Sequence, residues 1–401
     1  MNNKLIITKQ KNNIISAIYE GNDMTQVNVD PTDELSILGN IYIGKVKNII
    51  KNINAAFVEI ADGKMCYLSL EETMYPIYTK PKKTDKIVVG DEILVQISKE
   101  DVKTKAPVVT TNLNFTGKYV VLIHGKPIIG ISSKIQEDEE RKRLRTLMQG
   151  FKGDSFGFVI RTNAYHMPED RIIAEINVLQ KQYNDIKEFG VHKTQFSLLS
   201  QTPPGYICDI RDGFADSIDE IQTDDADIYK NMSLYLEGYQ KEDLPKLHFF
   251  DDKLITLSNL YGVKTKLENA LRDKVWLKCG GTIIIQPTEA LTVIDVNTGK
   301  AVSGKKQVQE TFLKVNMEAA HEIAKQLRLR NLSGIIIIDF IDMAGQNNKN
   351  MLMQELDELF RHDPIKTTLV DMTALNLVEV TRKKVRKPLH EQMRNKDLNK
   401  V

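Results

Sequence analysis

TIIIQPTEALTVIDVNTGK, Thr282–Lys300, and GIIIIDF, Gly334–Phe340, decide how the second half of this chain folds. TIIIQ and ALTVID read as two short strands, and GIIIIDF as a third. Glu310–Leu329 and Lys349–Phe360 carry helical spacing between and after them, and TTLVDM adds another strand. Gly280–Gly281 marks the composition shift at which this pattern begins. A continuous apolar run such as Ile335–Ile338 predicts a strand buried on both faces, as in a layered α/β sheet. Asp295 ends ALTVID and Asp339 ends GIIIID. Ligands of open α/β sheets gather outside the carboxyl ends of strands. Two aspartates leaving neighbouring strands could share one hard cation, and magnesium suits few protein carboxylates completed by water and phosphate. Asn297 is within reach of Asp295 and could orient it. The bland alternative is that each Asp makes a turn or caps a helix. Asp342 is a third acid here and reads more readily as a solvated loop carboxylate.

Working towards the N-terminus, Leu38 to Leu70 alternates apolar and polar residues and is broken by Gly39, Gly44 and Gly63. With KIVVGDEILVQISKE and APVVTTNLNF it describes a small closed barrel, of which the OB-fold is the commonest nucleic-acid-binding version. Phe57 and Tyr67 offer ring faces for base stacking, and Lys105 a cation for the backbone. Phe57, next to Ala55 and Ala56, also reads as a core aromatic, and the lysines of Lys80–Lys86 as a solvated loop. Before the barrel, Lys4–Thr8 and Asn13–Tyr19 read as strands. After it, KYVVLI and GFVIRT are strands, and Glu137–Gln149 is a charged helix. Pro168–Ile186 is a helix with Ile172, Ile176, Leu179, Tyr183 and Ile186 at helical spacing. Asp216–Asp227 reads as an acidic helix-to-loop stretch and Lys253–Asp273 as an amphipathic segment. Arg161–Thr162 could grip a phosphate with a guanidinium fork and a hydroxyl, or make a surface ion pair. The basic run TRKKVRK, Thr381–Lys387, is a solvated helix face or a phosphate-contacting patch.

The chain has 401 residues, enough for two to four compact units. Lys and Arg total 55 against 54 Asp and Glu, so no bulk positive charge coats a polyanion and any such site must be local. Cys66, Cys208 and Cys279 lie far apart and form no CxxC pair, which excludes a zinc knuckle or disulfide framework from the pattern. No apolar run reaches the length of a membrane helix, and the expected compartment is the cytoplasm. There is no HExxH, GxSxG, Walker A or GxGxxG signature, which weakens esterase, nucleotide hydrolase and dehydrogenase readings, and a metal-free ribonuclease using paired imidazoles.

TEALTVIDVNTGK (Thr288–Lys300), IAKQLRLRNLSGIIIIDFIDM (Ile323–Met343) and ALNLVEVTRKK (Ala374–Lys384) together resemble the ribonuclease E/G family of bacterial endoribonucleases. GNIYIGKV with NAAFVEI resembles its RNA-binding barrel, and FGFVIRT its 5′-end sensor. The resemblance implies an α+β multidomain chain. A ribonuclease-H-like subdomain would span 1–34 and 195–274, an OB-type barrel 35–115, a 5′-sensor region 116–194, and a deoxyribonuclease-I-like catalytic domain 275–401. It implies that Asp295 and Asp339 bind catalytic magnesium with Asn297 in support, and that Phe57, Tyr67 and Lys105 contact RNA. Gly117, Val121, Arg161 and Thr162 would bind the 5′-phosphate, with Lys366 where the family commonly has arginine, which keeps charge but loses the fork. The family's paired-cysteine zinc link follows the TRKK block. HEQMRNKDLNKV here holds no cysteine, so no structural zinc is expected and the short G-type is the nearer likeness. The implied function is magnesium-dependent cleavage of single-stranded RNA in processing and decay. A 5′-monophosphate would stimulate it, and the products would carry 5′-phosphate and 3′-hydroxyl ends. A homodimer held by packing is expected. The rival readings are a non-catalytic RNA-binding protein and a protein-interaction scaffold.

Overall fold

The computed structural model describes residues 3–32, 36–82, 84, 86–100, 106–213, 218–299 and 308–394. The chain divides into two compact units, one of Met1–Asp33 with Asp216–Val401 and the other of Glu34–Ala215.

In the Glu34–Ala215 unit, strands Ile41–Ile50, Ala55–Ala61, Lys64–Ser69, Val108–Thr110 and Glu92–Lys99 hydrogen-bond in that order. The first and last also pair, Ile41 opposite Gln96 and Lys45 opposite Glu92, which closes a five-stranded barrel. Alternation places Ala56, Val58, Cys66 and Leu68 in its core. Gly44 is required by the closure, because a Cβ there would lie 2.4 Å from Val58 and 3.0 Å from Val95. The mixed architecture with an OB-like closed barrel follows the expectation from the glycine-punctuated alternation. Leu198–Ser200 adds to the barrel sheet, with Leu198 opposite Tyr42. The segment from 195 expected in the ribonuclease-H-like part therefore groups with the barrel unit as far as Ala215.

The same unit contains a four-stranded sheet, Ile129–Ile131, Phe156–Ile160, Val120–His124 and Asn114–Thr116. Helices Asp138–Met148 and Glu169–Glu188 supply Leu144, Met148, Ile172, Ile176, Leu179 and Tyr183 to its core. Both helices match the spacing read from sequence within two residues.

The other unit holds two sheets. In the first, Asn3–Gln10, Asn13–Glu20 and Asp23–Pro31 form an antiparallel meander, and Glu220–Thr223 then Leu247–Phe249 extend it in parallel beside Asn3–Gln10. The acidic Asp216–Asp227 stretch is thus no helix-to-loop segment. Residues 216 and 217 lie outside the described residues. Ile221 and Thr223 bury one face of a strand, and helix Ala226–Tyr239 begins only after Asp225, whose carboxylate accepts from the amides of Asp227 and Ile228.

The second sheet runs Lys274–Trp276, Thr282–Pro287, Leu291–Asn297, Gly334–Asp339, Leu377–Arg382, Thr367–Met372. Helices Val308–Leu329 and Gln346–Arg361 pack on one face, burying Ile294, Ile336, Ile338, Val378 and Val380. The isoleucine run is not buried on both faces: Ile336 and Ile338 have no exposure, while Ile335 is 51% exposed. Helices cover one face only, so the four apolar residues alternate. Strand Leu377–Arg382, inserted between Gly334–Asp339 and Thr367–Met372, is absent from the sequence reading. Its end is the start of the basic run, which therefore begins as strand, not as helix.

Candidate functional site

Strands Leu291–Asn297 and Gly334–Asp339 are parallel, with Leu291 opposite Ile335 and Ile294 opposite Ile338. The same register sets Asp295 directly opposite Asp339. Neighbouring strands lie about 4.8 Å apart, so two carboxylates leave the sheet side by side. Pleating explains the direction. Ile294 and Ile338 point into the helix-covered core, and the next residue on each strand faces away from it. Asn297, two residues on, donates its side-chain amide to Asp295 Oδ2 at 2.7 Å and fixes that carboxylate. Asp339 is exposed, yet the local loss of water, and then the charges of Asp295 and Asp342, push its carboxyl above the usual carboxylate range.

The loop after Asp339 is held by residues the sequence reading missed. Asn316, fully buried in helix Val308–Leu329, donates to the Ile341 carbonyl at 2.8 Å and accepts from the Ile341 amide at 3.1 Å. Asp342 accepts from Asn376 at 2.9 Å, and Asn376 in turn accepts from Lys349 at 2.6 Å. A polar side chain on the apolar stripe of a helix was the available signal for Asn316. Among the described residues no group of three or more His, Cys, Asp or Glu converges as a metal-ligand set. The donors offered are two hard carboxylates set side by side. That suits magnesium, which keeps water or phosphate in its remaining positions, better than a cation needing a full protein cage.

The basic run is remote from these acids. Asp339 pairs with Leu377, whereas Arg382 pairs with Gly334 at the opposite end of the strand, about 17 Å away at 3.3 Å per residue. Arg382 is itself buried, with its guanidinium forked onto Asp363 at 2.7 and 3.2 Å and donating to the Leu332 carbonyl at 2.9 Å. Lys366 sits at that same end, its carbonyl accepting from the Lys383 amide.

On the barrel, Phe57 and Tyr67 are cross-strand partners with rings 6.2 Å apart, edge to face. Both are half-buried, while Ala56 and Val58 on either side of Phe57 line the core. Phe57 is therefore not the core aromatic that its alanine neighbours suggested. Lys105 lies outside the described residues.

In the four-stranded sheet of the same unit, the Arg161 amide donates to the Tyr119 carbonyl, and its guanidinium to the Gly117 carbonyl at 2.5 Å. Thr162 and Ser132 hydroxyls lie 2.9 Å apart. Val121 faces Val159 across the ladder and is half-buried. The amides of Lys118, Tyr119 and Val120 all donate to the Glu175 carboxylate, at 2.7 to 2.8 Å. Gly117 is needed there, since a Cβ would lie 2.3 Å from Glu175 Oε1. Gly117, Arg161 and Thr162 are thus brought together, and Lys366 belongs to the other unit.

Comparison with known proteins places the chain in a family. A family model described as the ribonuclease E/G family matches residues 114–385. Ribonuclease E of Nostoc sp. (strain PCC 7120) is 34% identical over 394 residues, covering 97% of this chain and 57% of the relative. Ribonuclease G of Escherichia coli (strain K12) is 30% identical over 391 residues, covering 94% of this chain and 79% of the relative. Ribonuclease E of Synechocystis sp. (strain PCC 6803) is 33% identical, with 58% of its length covered. The chain therefore spans a little over half the length of the ribonuclease E relatives and about four fifths of the ribonuclease G ones. With more than half of its residues inside the family match, the chain belongs to the ribonuclease E/G family.

Proposed function

We propose that this chain is a magnesium-dependent endoribonuclease that cuts single-stranded RNA in processing and decay. The observation that carries the reading is the register that sets Asp295 opposite Asp339, with Asn297 bonded to Asp295. Asp295 and Asp339 would hold the cation, and Asn297, bonded to Asp295, would keep that carboxylate oriented. When bound, magnesium polarises a phosphoryl oxygen and lowers the pKa of the attacking water. The rigid sheet fixes the two carboxylates before substrate arrives, and the Asn316 clamp on Ile341 keeps the following loop in place. In-line attack of water then leaves 5′-phosphate and 3′-hydroxyl ends.

Phe57 and Tyr67, half-exposed on the barrel surface, supply stacking faces for unpaired bases, and Lys105 a backbone cation. Gly117, Val121, Arg161 and Thr162 receive a 5′-terminal phosphate. The chain is expected to pair as a homodimer held by packing. Among the described residues no helix is long and apolar enough to cross a membrane. The five-strand order of the first sheet in that unit supports the ribonuclease-H-like assignment.

The test is incubation of purified protein with a single-stranded oligoribonucleotide bearing either a 5′-monophosphate or a 5′-hydroxyl, with and without magnesium. Magnesium-dependent cleavage, faster on the monophosphate, is expected. Binding without turnover would leave a non-catalytic RNA-binding protein, and neither binding nor turnover an interaction scaffold.

A further inference from the structure

The guanidinium assigned above to a terminal phosphate is already engaged. Arg161 Nη1 donates to Asp212 Oδ1 at 2.8 Å as well as to the Gly117 carbonyl. Arg211 holds the same carboxylate from its other side, Nε to Oδ1 at 2.9 Å and Nη2 to Oδ2 at 2.8 Å, the bidentate fork that guanidinium offers carboxylates and phosphates alike. Arg211 Nη1 also reaches the Thr116 carbonyl at 3.5 Å, so the fork is tied to the strand that leads into Gly117. All these residues belong to the Glu34–Ala215 unit.

Two guanidinium groups thus converge on one carboxylate at the end of helix Gly205–Asp212. The cluster is open to solution: the Asp212 side chain is 38% exposed, against 24% for Arg161 and 15% for Arg211. Burial opposes the charge on Asp212, but Arg211 and Arg161 outweigh it and hold the carboxyl below its usual range, so the acid is ionised at neutral pH. An anion arriving at Arg161 must therefore compete with an internal one. A terminal phosphate monoester carries roughly −1.5 to −2 charges at pH 7 and three acceptor oxygens, against one charge and two oxygens for Asp212. A 5′-hydroxyl carries neither.

We propose that Asp212 is an internal stand-in for the terminal phosphate, exchanged out by a 5′-monophosphate and left in place by a 5′-hydroxyl. Arg211 is then a second guanidinium of the phosphate site. This rests on the reading of Arg161 as a phosphate-gripping residue. Asp212 acts as a specificity-determining residue: it raises the threshold that an anion must pass, while the two arginines stay aligned in the empty state.

The experiment measures binding of a short single-stranded oligoribonucleotide, 5′-monophosphorylated or 5′-hydroxylated, by fluorescence anisotropy. EDTA prevents cleavage and ionic strength is held fixed. Asp212→Asn should tighten binding of the monophosphorylated RNA by about fivefold, the upper scale for a partly exposed ion pair, and leave the hydroxylated RNA nearly unchanged. Asp212→Ser should do the same, and melting curves of both establish that they fold. Arg211→Gln should weaken only the monophosphorylated RNA. Unchanged or weaker monophosphate binding in the Asp212 variants would overturn the proposal. So would an equal gain on both RNAs, which would mean only that a negative charge had been removed. If wild type and the Asp212 variants all bind the two RNAs equally, the terminal-phosphate reading itself fails. A wild-type preference that the Asp212 variants leave unaltered sinks only the role of Asp212.

Discussion

Asp339→Asn should make the metal-free protein more stable and abolish its response to magnesium. Asp295 and Asp339 are directly opposed on adjacent parallel strands. Two carboxylates about 5 Å apart repel by roughly 1 kcal/mol when screened as in water, and the exposure of Asp339 keeps the figure at that low end. The sign follows from the direction of the shift. The folded Asp339 holds its proton more tightly than an unfolded Asp does. Its ionised form therefore penalises the folded state at neutral pH, and the penalty fades as pH falls through the raised value. Removing the charge should raise the metal-free Tm at pH 7 by about 2–4 °C, and the gain should shrink as the pH is lowered through the raised value. Magnesium at ten times its Kd should stabilise the wild type by about 1.4 kcal/mol and the variant by far less. Thermal melting of both proteins at two pH values, with magnesium and with EDTA, reads all of this. A lower metal-free Tm for Asp339→Asn, or a full magnesium shift in it, would refute the reasoning.

Tyr67→Ala should weaken single-stranded RNA binding by about 1–3 kcal/mol for the stacked base it loses, measured by anisotropy beside a melting curve; unchanged affinity would put the stacking surface elsewhere. Gly117→Ala forces a methyl group to within 2.3 Å of Glu175. It should destabilise the protein by about 1–3 kcal/mol in urea titration, with a marginal effect contradicting the tight fit. Arg382→Met leaves Asp363 buried without its guanidinium partner. A loss of about 3–5 kcal/mol is expected from denaturant midpoints, and a loss below 1 kcal/mol would mean that the pair is not closed to solvent.

The elements that carry the proposed site were legible because each is local. ALTVID and GIIIID are apolar runs that end in an acid, and that alone places both aspartates at strand ends. What sequence could not supply was register. That Asp295 opposes Asp339 and not a neighbour depends on pairing between residues 44 positions apart, with a helix between them. Strand Leu377–Arg382 was hidden because its alternation, Val378 and Val380 in, Glu379 and Thr381 out, runs straight into a lysine-rich tail that dominates the local composition. Arg382 looked like one cation in a solvated run, and only the fold brings it to Asp363. Asp212 escaped notice for the same reason: a charged dipeptide at a helix end signals nothing until Arg161 is placed beside it. The double burial expected of Ile335–Ile338 failed because strand composition alone does not say whether one face or two will be covered.

The central claim, that Asp295 and Asp339 form the catalytic pair, is tested most directly by the single-turnover cleavage rate of Asp295→Asn on a 5′-monophosphorylated single-stranded RNA in magnesium. The substitution removes one charge, nearly preserves shape, and leaves the barrel and the Arg161 region untouched. The variant should fold and bind RNA like wild type while cleavage is abolished. Cleavage by Asp295→Asn at the wild-type rate would contradict it.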